Sequence, residues 1–150
     1  MVVLVIGILA AVALPQYQVA VDKSRLMQAY TWNKAIKQAA ESYFMEHGKY
    51  PNRLEQLDVA VPSCSFWQEA ETTDYNWYKC GAYKIKIGTN GDLSKMGTVL
   101  TYWDGAVIEF YFHSNTKLCT VYSKSERWTK VCKALGGVDK GNTNKYFYLP

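Results

Sequence analysis

The sequence has 150 residues, of which 49% are hydrophobic and 20% are charged, and its net charge at pH 7 is +4. This length accommodates one globular domain with an appendage and argues against several domains. The 17 basic and 13 acidic residues are interleaved along the chain, so no basic stripe of the kind that grips nucleic acid stands out.

The first 21 residues carry no charged side chain. Residues 2–14 are apolar apart from Gly7, and a helix from the first residue to Leu14 would be about 21 Å long, short of the roughly 30 Å hydrocarbon core of a bilayer. Pro15 predicts a kink or a melted turn at the end of this run. Because it has no charge, the stretch must lie in lipid, in a protein core or among copies of itself.

A secretory signal is the alternative interpretation of this stretch, since residues 11–13, Ala-Val-Ala, are similar to a cleavage site. The stretch has no basic n-region, and the helical pattern continues beyond it. We therefore interpret residues 1–21 as a hydrophobic segment for a membrane or for the core of a bundle of its own copies, and residues 22–150 as a globular head.

Residues 22–48 predict an amphipathic helix. Its apolar face is formed by Ala29, Trp32, Ile36, Ala39, Ala40 and Tyr43, and its polar face by Lys23, Lys34, Gln38, Glu41 and Ser42. Gly48 suits a left-handed helix cap, and Pro51 prevents the helix from resuming. One helix therefore carries both the apolar segment and the amphipathic segment.

Residues 49–82 have weak periodicity and predict a loop region. Cys64 and Cys80 bracket much of it, and Cys119 and Cys132 enclose a second polar stretch. An even number of cysteines behind a membrane-type segment indicates disulfides. Three connectivities are possible. We prefer Cys64 with Cys80 and Cys119 with Cys132 because each pair closes a local loop, and each bridge would add about 3 kcal/mol.

Residues 83–123 predict an antiparallel meander of about four strands, with the segments YKIKIG, TVLTYW, AVIEFYF and LCTVYS. The pair Asp104-Gly105 is the strongest local signal, because both residues tolerate the positive φ of a two-residue hairpin turn. Residues 124–150 predict a short helical segment at WTKVCKALGG and then a loop region. The predicted fold class is α+β, with the sheet packed on the apolar face of the long helix and disulfide-closed loops beside it.

Catalytic motifs are absent from the sequence. It has no GxSxG, HExxH, P-loop or Rossmann pattern, and GTNGD is better explained as a hairpin turn than as a phosphate cradle. Neither His47 nor His113 is spaced with a cysteine as zinc ligands are. We therefore expect no enzyme, no cofactor and no metal.

Aromatic residues make up 15% of the chain, and packing of the sheet explains most of them. Those in the predicted loop suggest an alternative function, a membrane-anchored module that binds a surface, a glycan or DNA by stacking and phosphate contact. The residues that would carry this binding are Trp67, Tyr75, Trp77 and Tyr78.

The segment VVLVIGILAAVALPQYQ resembles the N-terminal helix of type IV pilins and of the related pseudopilins of type II secretion systems. The segment HGKYP is similar to the GxYP that often closes this helix in the family. The resemblance implies a structural subunit that resides in the inner membrane and then joins an extracellular cell-surface filament, a helical homopolymer of itself. It implies the pilus assembly machinery and minor pilins as further partners, and a pseudopilin or minor pilin as the alternative.

The resemblance also assigns roles to residues of the first helix. Gly7 and Pro15 match helix-weakening positions of the family, between which the helix can unravel when a filament stretches. Filament-core packing falls to Val2, Val3, Leu4, Val5, Ile6, Ile8, Leu9, Ala10, Ala11, Val12, Ala13 and Leu14. In the family a basic leader with a processing glycine and an FTLIEL-like segment precede this stretch. Since the sequence starts beyond them, we expect a truncated front end and hold a subunit that cannot be processed normally as the alternative.

Overall fold

The computed structural model describes residues 2–122, 125–141 and 145–150. Helix α1, Val2–His47, has 46 residues and is about 69 Å long. The helix continues through Pro15, so the turn there is not melted, because a proline removes only one backbone hydrogen bond of a long helix. Its buried residues begin at Asp22, and only the C-terminal half packs on the rest of the chain.

Helix α1 ends at the predicted place. Gly48 has a φ of 72°, and its N–H donates to the Phe44 carbonyl at 2.8 Å. His47 lies in the last turn, with its Nδ1 3.1 Å from the Tyr43 carbonyl oxygen. A glycine in the left-handed region therefore closes the helix and satisfies one of its last carbonyls.

A seven-stranded antiparallel sheet packs on this half of α1, with its strands in sequence order. They are β1 (Cys64–Glu69), β2 (Asn76–Cys80), β3 (Tyr83–Gly88), β4 (Thr98–Trp103), β5 (Ala106–Tyr111), β6 (Lys117–Val121) and β7 (Tyr146–Tyr148).

The sheet has three strands more than the four predicted, which are β3 to β6. The region 49–82, predicted as loop, contains β1 and β2 and a 3₁₀ turn at Leu54–Gln56. β1 lies at the edge of the sheet and is exposed at nearly every position, so it lacks the alternating apolar pattern that identifies a strand. β7 has only three residues and therefore gives little signal in the sequence.

Helix α2, Glu126–Ala134, accounts for the predicted helical segment of the C-terminal region. Beyond it, Val138 pairs with Tyr148 in an isolated bridge, and β7 pairs with β6. Residues 142–144 of the predicted C-terminal loop, like residues 123–124, lie outside the described residues.

The Asp104-Gly105 hairpin joins β4 to β5, where Trp103 faces Ala106. Asp104 has a φ of 49°, as predicted, but Gly105 does not adopt a left-handed φ, so the prediction of positive φ at both turn residues is wrong for Gly105. Gly105 is needed for packing, because a Cβ at this position would lie 2.3 Å from Nε1 of Trp128 on α2. The turn therefore depends on Gly105 for the approach of a second helix, which the sequence signal does not reveal.

The core lies between α1 and the inner face of the sheet. Ile36 and Ala40 are fully buried there, and Trp32 and Tyr43 are partly buried, in agreement with the predicted apolar face. Asn33 is a polar residue inside this interface and is also fully buried.

Both polar atoms of the Asn33 amide form hydrogen bonds to the sheet. Its Nδ2 donates to the Ile108 carbonyl at 2.7 Å, and its Oδ1 accepts from Thr101 Oγ1 at 2.5 Å. A buried amide with partners on two strands ties the helix to one position on the sheet.

Two disulfides join the pairs preferred from the sequence. Cys64–Cys80 links β1 to β2, and Cys119–Cys132 links β6 to α2. The first bridge fixes the edge strand to the sheet, and the second fixes α2 to it.

Candidate functional site

The first half of α1 projects from the head without a cover. The Val, Leu and Ile side chains between Val2 and Leu14 are 56–83% exposed. Among the described residues α1 is the one helix long and apolar enough to span a membrane, and its most apolar window, with a mean hydropathy of 2.0, is 0% buried. Each large aliphatic side chain left in water forgoes about 1.5–3 kcal/mol, so this surface requires lipid or protein around it.

Gly7 and Pro15 both lie in this projecting half. A Cβ at Gly7 would meet no atom within 4 Å, so nothing inside the chain requires a glycine there. Proline and glycine both weaken a helix locally, by a missing N–H and by backbone freedom respectively. The helix-weakening role of these two residues stays a prediction.

An ion pair between a buried carboxylate and a half-exposed arginine marks the point where α1 enters the head. The Asp22 side chain is only 5% exposed, and Arg127 of α2 binds it with two hydrogen bonds. Arg127 Nε donates to Oδ2 at 2.7 Å and Nη2 donates to Oδ1 at 2.9 Å. Since the disulfide Cys119–Cys132 fixes α2 to the sheet, this pair holds the base of the projecting helix against the head.

Three of the four aromatic residues predicted to bind a surface lie at or near the outer face of the sheet, opposite α1. Trp67 is 39% exposed, and Tyr75 and Trp77 are partly exposed. The prediction is wrong for Tyr78, which is only 2% exposed. Its hydroxyl donates to Glu55 Oε2 at 2.5 Å and accepts from the Leu54 N–H at 3.1 Å. Successive residues of a strand point to opposite faces, so the side chains of Trp77 and Tyr78 cannot lie on the same face of the sheet.

Lysines accompany the exposed rings. Lys79 Nζ is 4.3 Å from the centroid of Trp67, and Lys84 Nζ is 5.0 Å from the same ring. Lys86 Nζ is 3.9 Å from the centroid of Tyr75 and 5.3 Å from that of Trp77. We call this surface the aromatic–lysine face, and define it by Trp67, Tyr75, Trp77, Lys79, Lys84, Lys86 and Tyr102, whose ring centroid is 5.1 Å from that of Trp77.

Partial burial changes the titration of this surface. Desolvation lowers the pKa of Lys86 and raises the pKa of Glu109 on neighbouring β5. It also raises the pKa values of Tyr75 and Tyr102. The face is thus a set of cations and rings that are partly shielded from water. No group of three or more His, Cys, Asp or Glu side chains that could hold a metal ion occurs in residues 2–122, 125–141 and 145–150.

The architecture has the layout that the sequence predicts. A long helix, apolar and bare in its first half and packed in its second half on an antiparallel sheet with two disulfides, is a pilin-like α+β layout. This agrees with the predicted fold class.

Known proteins with similar sequences are pilins and fimbrial proteins. Over 61 residues the chain is 38% identical to the type IV major pilin protein PilE1 of Neisseria gonorrhoeae. This match covers 41% of the chain and 37% of that protein. Over 62 residues it is 36% identical to a fimbrial protein of Neisseria meningitidis serogroup B, covering 41% of this chain and 36% of that protein.

The matched part corresponds to little more than a third of the length of these relatives. No family model and no solved structure matches the chain. The relatives nevertheless confirm the resemblance to the type IV pilin family that the first helix indicated.

Proposed function

We propose that this protein is a structural, non-enzymatic subunit of a type IV pilus-like filament. The observation that carries the proposal is the projecting half of α1, whose large aliphatic side chains have no cover within the chain. Packing of these helices from many copies would bury them in a common core. Ala10, Ala11 and Ala13 interrupt the large residues and would let neighbouring helices approach closely.

Before assembly the same segment would anchor the subunit in the inner membrane. Lipid tails are as apolar as the core of a helix bundle, so transfer from one to the other gains little from the hydrophobic effect. An external motor, the pilus assembly machinery, would therefore drive the subunit into the extracellular filament. Gly7 and Pro15 would let the segment between them unravel under tension.

A second candidate is a minor pilin or a pseudopilin of a type II secretion system, in which the head acts as an anchored binding module. The aromatic–lysine face is the observation that favours it. The two candidates differ in abundance, because a major subunit forms long fibres of one protein and a minor one is present in few copies. Electron microscopy of sheared surface filaments with mass spectrometry would distinguish them.

The filament proposal is tested by adding bulk to the helix without adding charge. Ala10→Leu keeps the segment apolar, so membrane anchoring should persist, but the larger side chain prevents close helix packing. We expect the amount of sheared filament to fall at least tenfold while the amount of subunit in the membrane fraction stays unchanged.

Met45→Leu is the matched control, since Met45 lies on the same helix, is 79% exposed and belongs to the head. This variant should assemble normally. Wild-type yields of filament from Ala10→Leu would contradict the packing of helices through the small residues. The absence of this chain from any filament, with the wild-type subunit present in the membrane, would contradict the proposal as a whole.

A further inference from the structure

The outer face of the sheet alternates lysines with aromatic rings across three strands. In one row across the sheet, Trp77 of β2 lies beside Lys86 of β3. In the next row, Lys84 of β3 lies between Lys79 of β2 and Tyr102 of β4. Trp67 lies beside these rows at the edge of the sheet, with its ring centroid 6.3 Å from that of Trp77. The arrangement comes from the strand register and combines residues that are scattered in the sequence.

The three lysines of this face form no close ion pair within the part of the chain that the structure describes. The ion pairs found there involve other residues than Lys79, Lys84 and Lys86, and Glu109 acts on Lys86 only at longer range. Glu109 lies two strands from Lys86, in the same row across the sheet. The face therefore carries a local excess of positive charge, although the chain as a whole is only mildly basic.

The spacing of the charges suits an extended polyanion. Lys84 and Lys86 are two residues apart on the same side of β3, which places their attachment points about 7 Å apart along the strand. Lys79 is the cross-strand neighbour of Lys84 and widens the charged track by one strand. A flexible polymer with one anionic group in each unit could contact all three lysines.

The rings decide which polyanion fits best. The rings of Trp67, Tyr75 and Trp77 could also contact the apolar faces of sugars in a sulfated polysaccharide, but sugars lack the flat π-systems with which bases stack. Single-stranded nucleic acid offers flat bases that stack on aromatic rings while its phosphates contact lysines, and stacking of this kind tolerates any base sequence. Trp67, at the edge of the sheet and 39% exposed, is the most exposed ring of this face.

We infer that the aromatic–lysine face binds single-stranded nucleic acid without base specificity, with Lys79, Lys84 and Lys86 contacting phosphates and Trp67 stacking on a base. The residues involved are distinct from the apolar half of α1. Binding and filament assembly are therefore separable, and either proposal can fail without the other.

The test measures binding of a fluorescein-labelled oligothymidylate of about 20 nucleotides to the full chain in detergent micelles, by fluorescence anisotropy at several salt concentrations. Three phosphate contacts predict a slope of about −2 for the logarithm of the association constant against the logarithm of the salt concentration. The double variant Lys84→Gln with Lys86→Gln should reduce the magnitude of this slope by about 1.4.

Lys34→Gln with Lys49→Gln is the matched control, because both lysines are exposed elsewhere and the change in net charge is the same. It should leave the slope and the affinity unchanged. Trp67→Ala should weaken binding about tenfold, and Trp67→Phe, which keeps a ring, should restore most of the affinity. Thermal unfolding of each variant shows whether the head is intact.

Several results would overturn the inference. Equal losses in the two lysine double variants would show that net charge alone attracts the oligonucleotide. Unchanged affinity in Trp67→Ala, with a heparin-type polysaccharide binding as tightly as the oligonucleotide, would identify a general polyanion surface. Tighter binding of duplex than of single-stranded DNA would exclude base stacking as the means of recognition.

Discussion

Replacement of Arg127 by alanine should destabilise the head by about 2 kcal/mol. The substitution leaves the Asp22 carboxylate, which is 5% exposed, without its two short hydrogen bonds. Removing one partner of a fully buried pair costs about 3–5 kcal/mol. Because the Arg127 side chain is itself 47% exposed, solvent reduces this cost, and water can reach part of the vacated space.

The measurement is urea unfolding of the full chain in detergent with both disulfides intact, followed by the fluorescence of the head. Arg53→Ala is the matched control, because Arg53 pairs with Glu69 where both side chains are about half exposed or more, at 47% and 64%. An exposed pair contributes about 0–1 kcal/mol, so this variant should unfold close to the wild type. Arg127→Lys should recover only part of the loss, since lysine lacks the planar fork that binds both carboxylate oxygens.

A double-mutant cycle isolates the pair from other effects of the substitutions. Asp22→Ala, Arg127→Ala and the combined variant should give a coupling energy of at least about 1 kcal/mol. A coupling energy below about 0.5 kcal/mol, or equal destabilisation by Arg127→Ala and Arg53→Ala, would refute the view that this pair holds the base of the projecting helix.

Three further predictions concern the turn, the bridges and alkaline pH. Gly105→Ala should lower the free energy of unfolding by about 1–3 kcal/mol, measured by thermal unfolding, because the new Cβ would overlap the Trp128 indole. In the control Gly81→Ala the new Cβ meets no atom within 4 Å, and the positive φ of 62° alone should cost about 1 kcal/mol. Mild reduction followed by alkylation should label Cys64–Cys80 before Cys119–Cys132, because both cysteines of the second bridge are fully buried and Cys64 is partly exposed. Mass spectrometry measures the order of labelling, and the opposite order would contradict control of access by burial. Burial raises the pKa of Tyr111 from 10.0 to about 12, so this tyrosine ionises first in the unfolded chain. Its contribution to stability is complete below pH 10 and is lost as the pH rises through about 12; Tyr111→Phe should flatten the fall in urea stability above pH 10, and an unchanged slope would contradict this.

The long helix and the central strands could be predicted from the sequence because their burial is periodic. Ile36 and Ala40 repeat at helical spacing, and the buried apolar residues of β3 alternate with its two lysines. The end of α1 was equally readable, since Gly48 is followed closely by a proline.

Features that depend on distant residues could not be read from the sequence. Asp22 and Arg127 are 105 residues apart and carry no local signal of pairing. The lysines of the aromatic–lysine face come from two strands and become neighbours only through the register of β2 and β3. The sequence groups Tyr78 with Trp77 because it predicts a loop in place of β2, and adjacent side chains of a loop are not forced to opposite faces.

The Asn33 amide, held by two strands, has a consequence for geometry far from the head. An α-helix turns by about 100° per residue, so a slip of one position would rotate every side chain of α1 by that angle. Bonds from Thr101 and to the Ile108 carbonyl allow a single rotational setting. Because the helix is continuous back to Val2, that setting also determines the azimuth of each aliphatic side chain in the bare half. In the proposed polymer, the direction in which a subunit meets its neighbours would thus be encoded by one amide inside its own core.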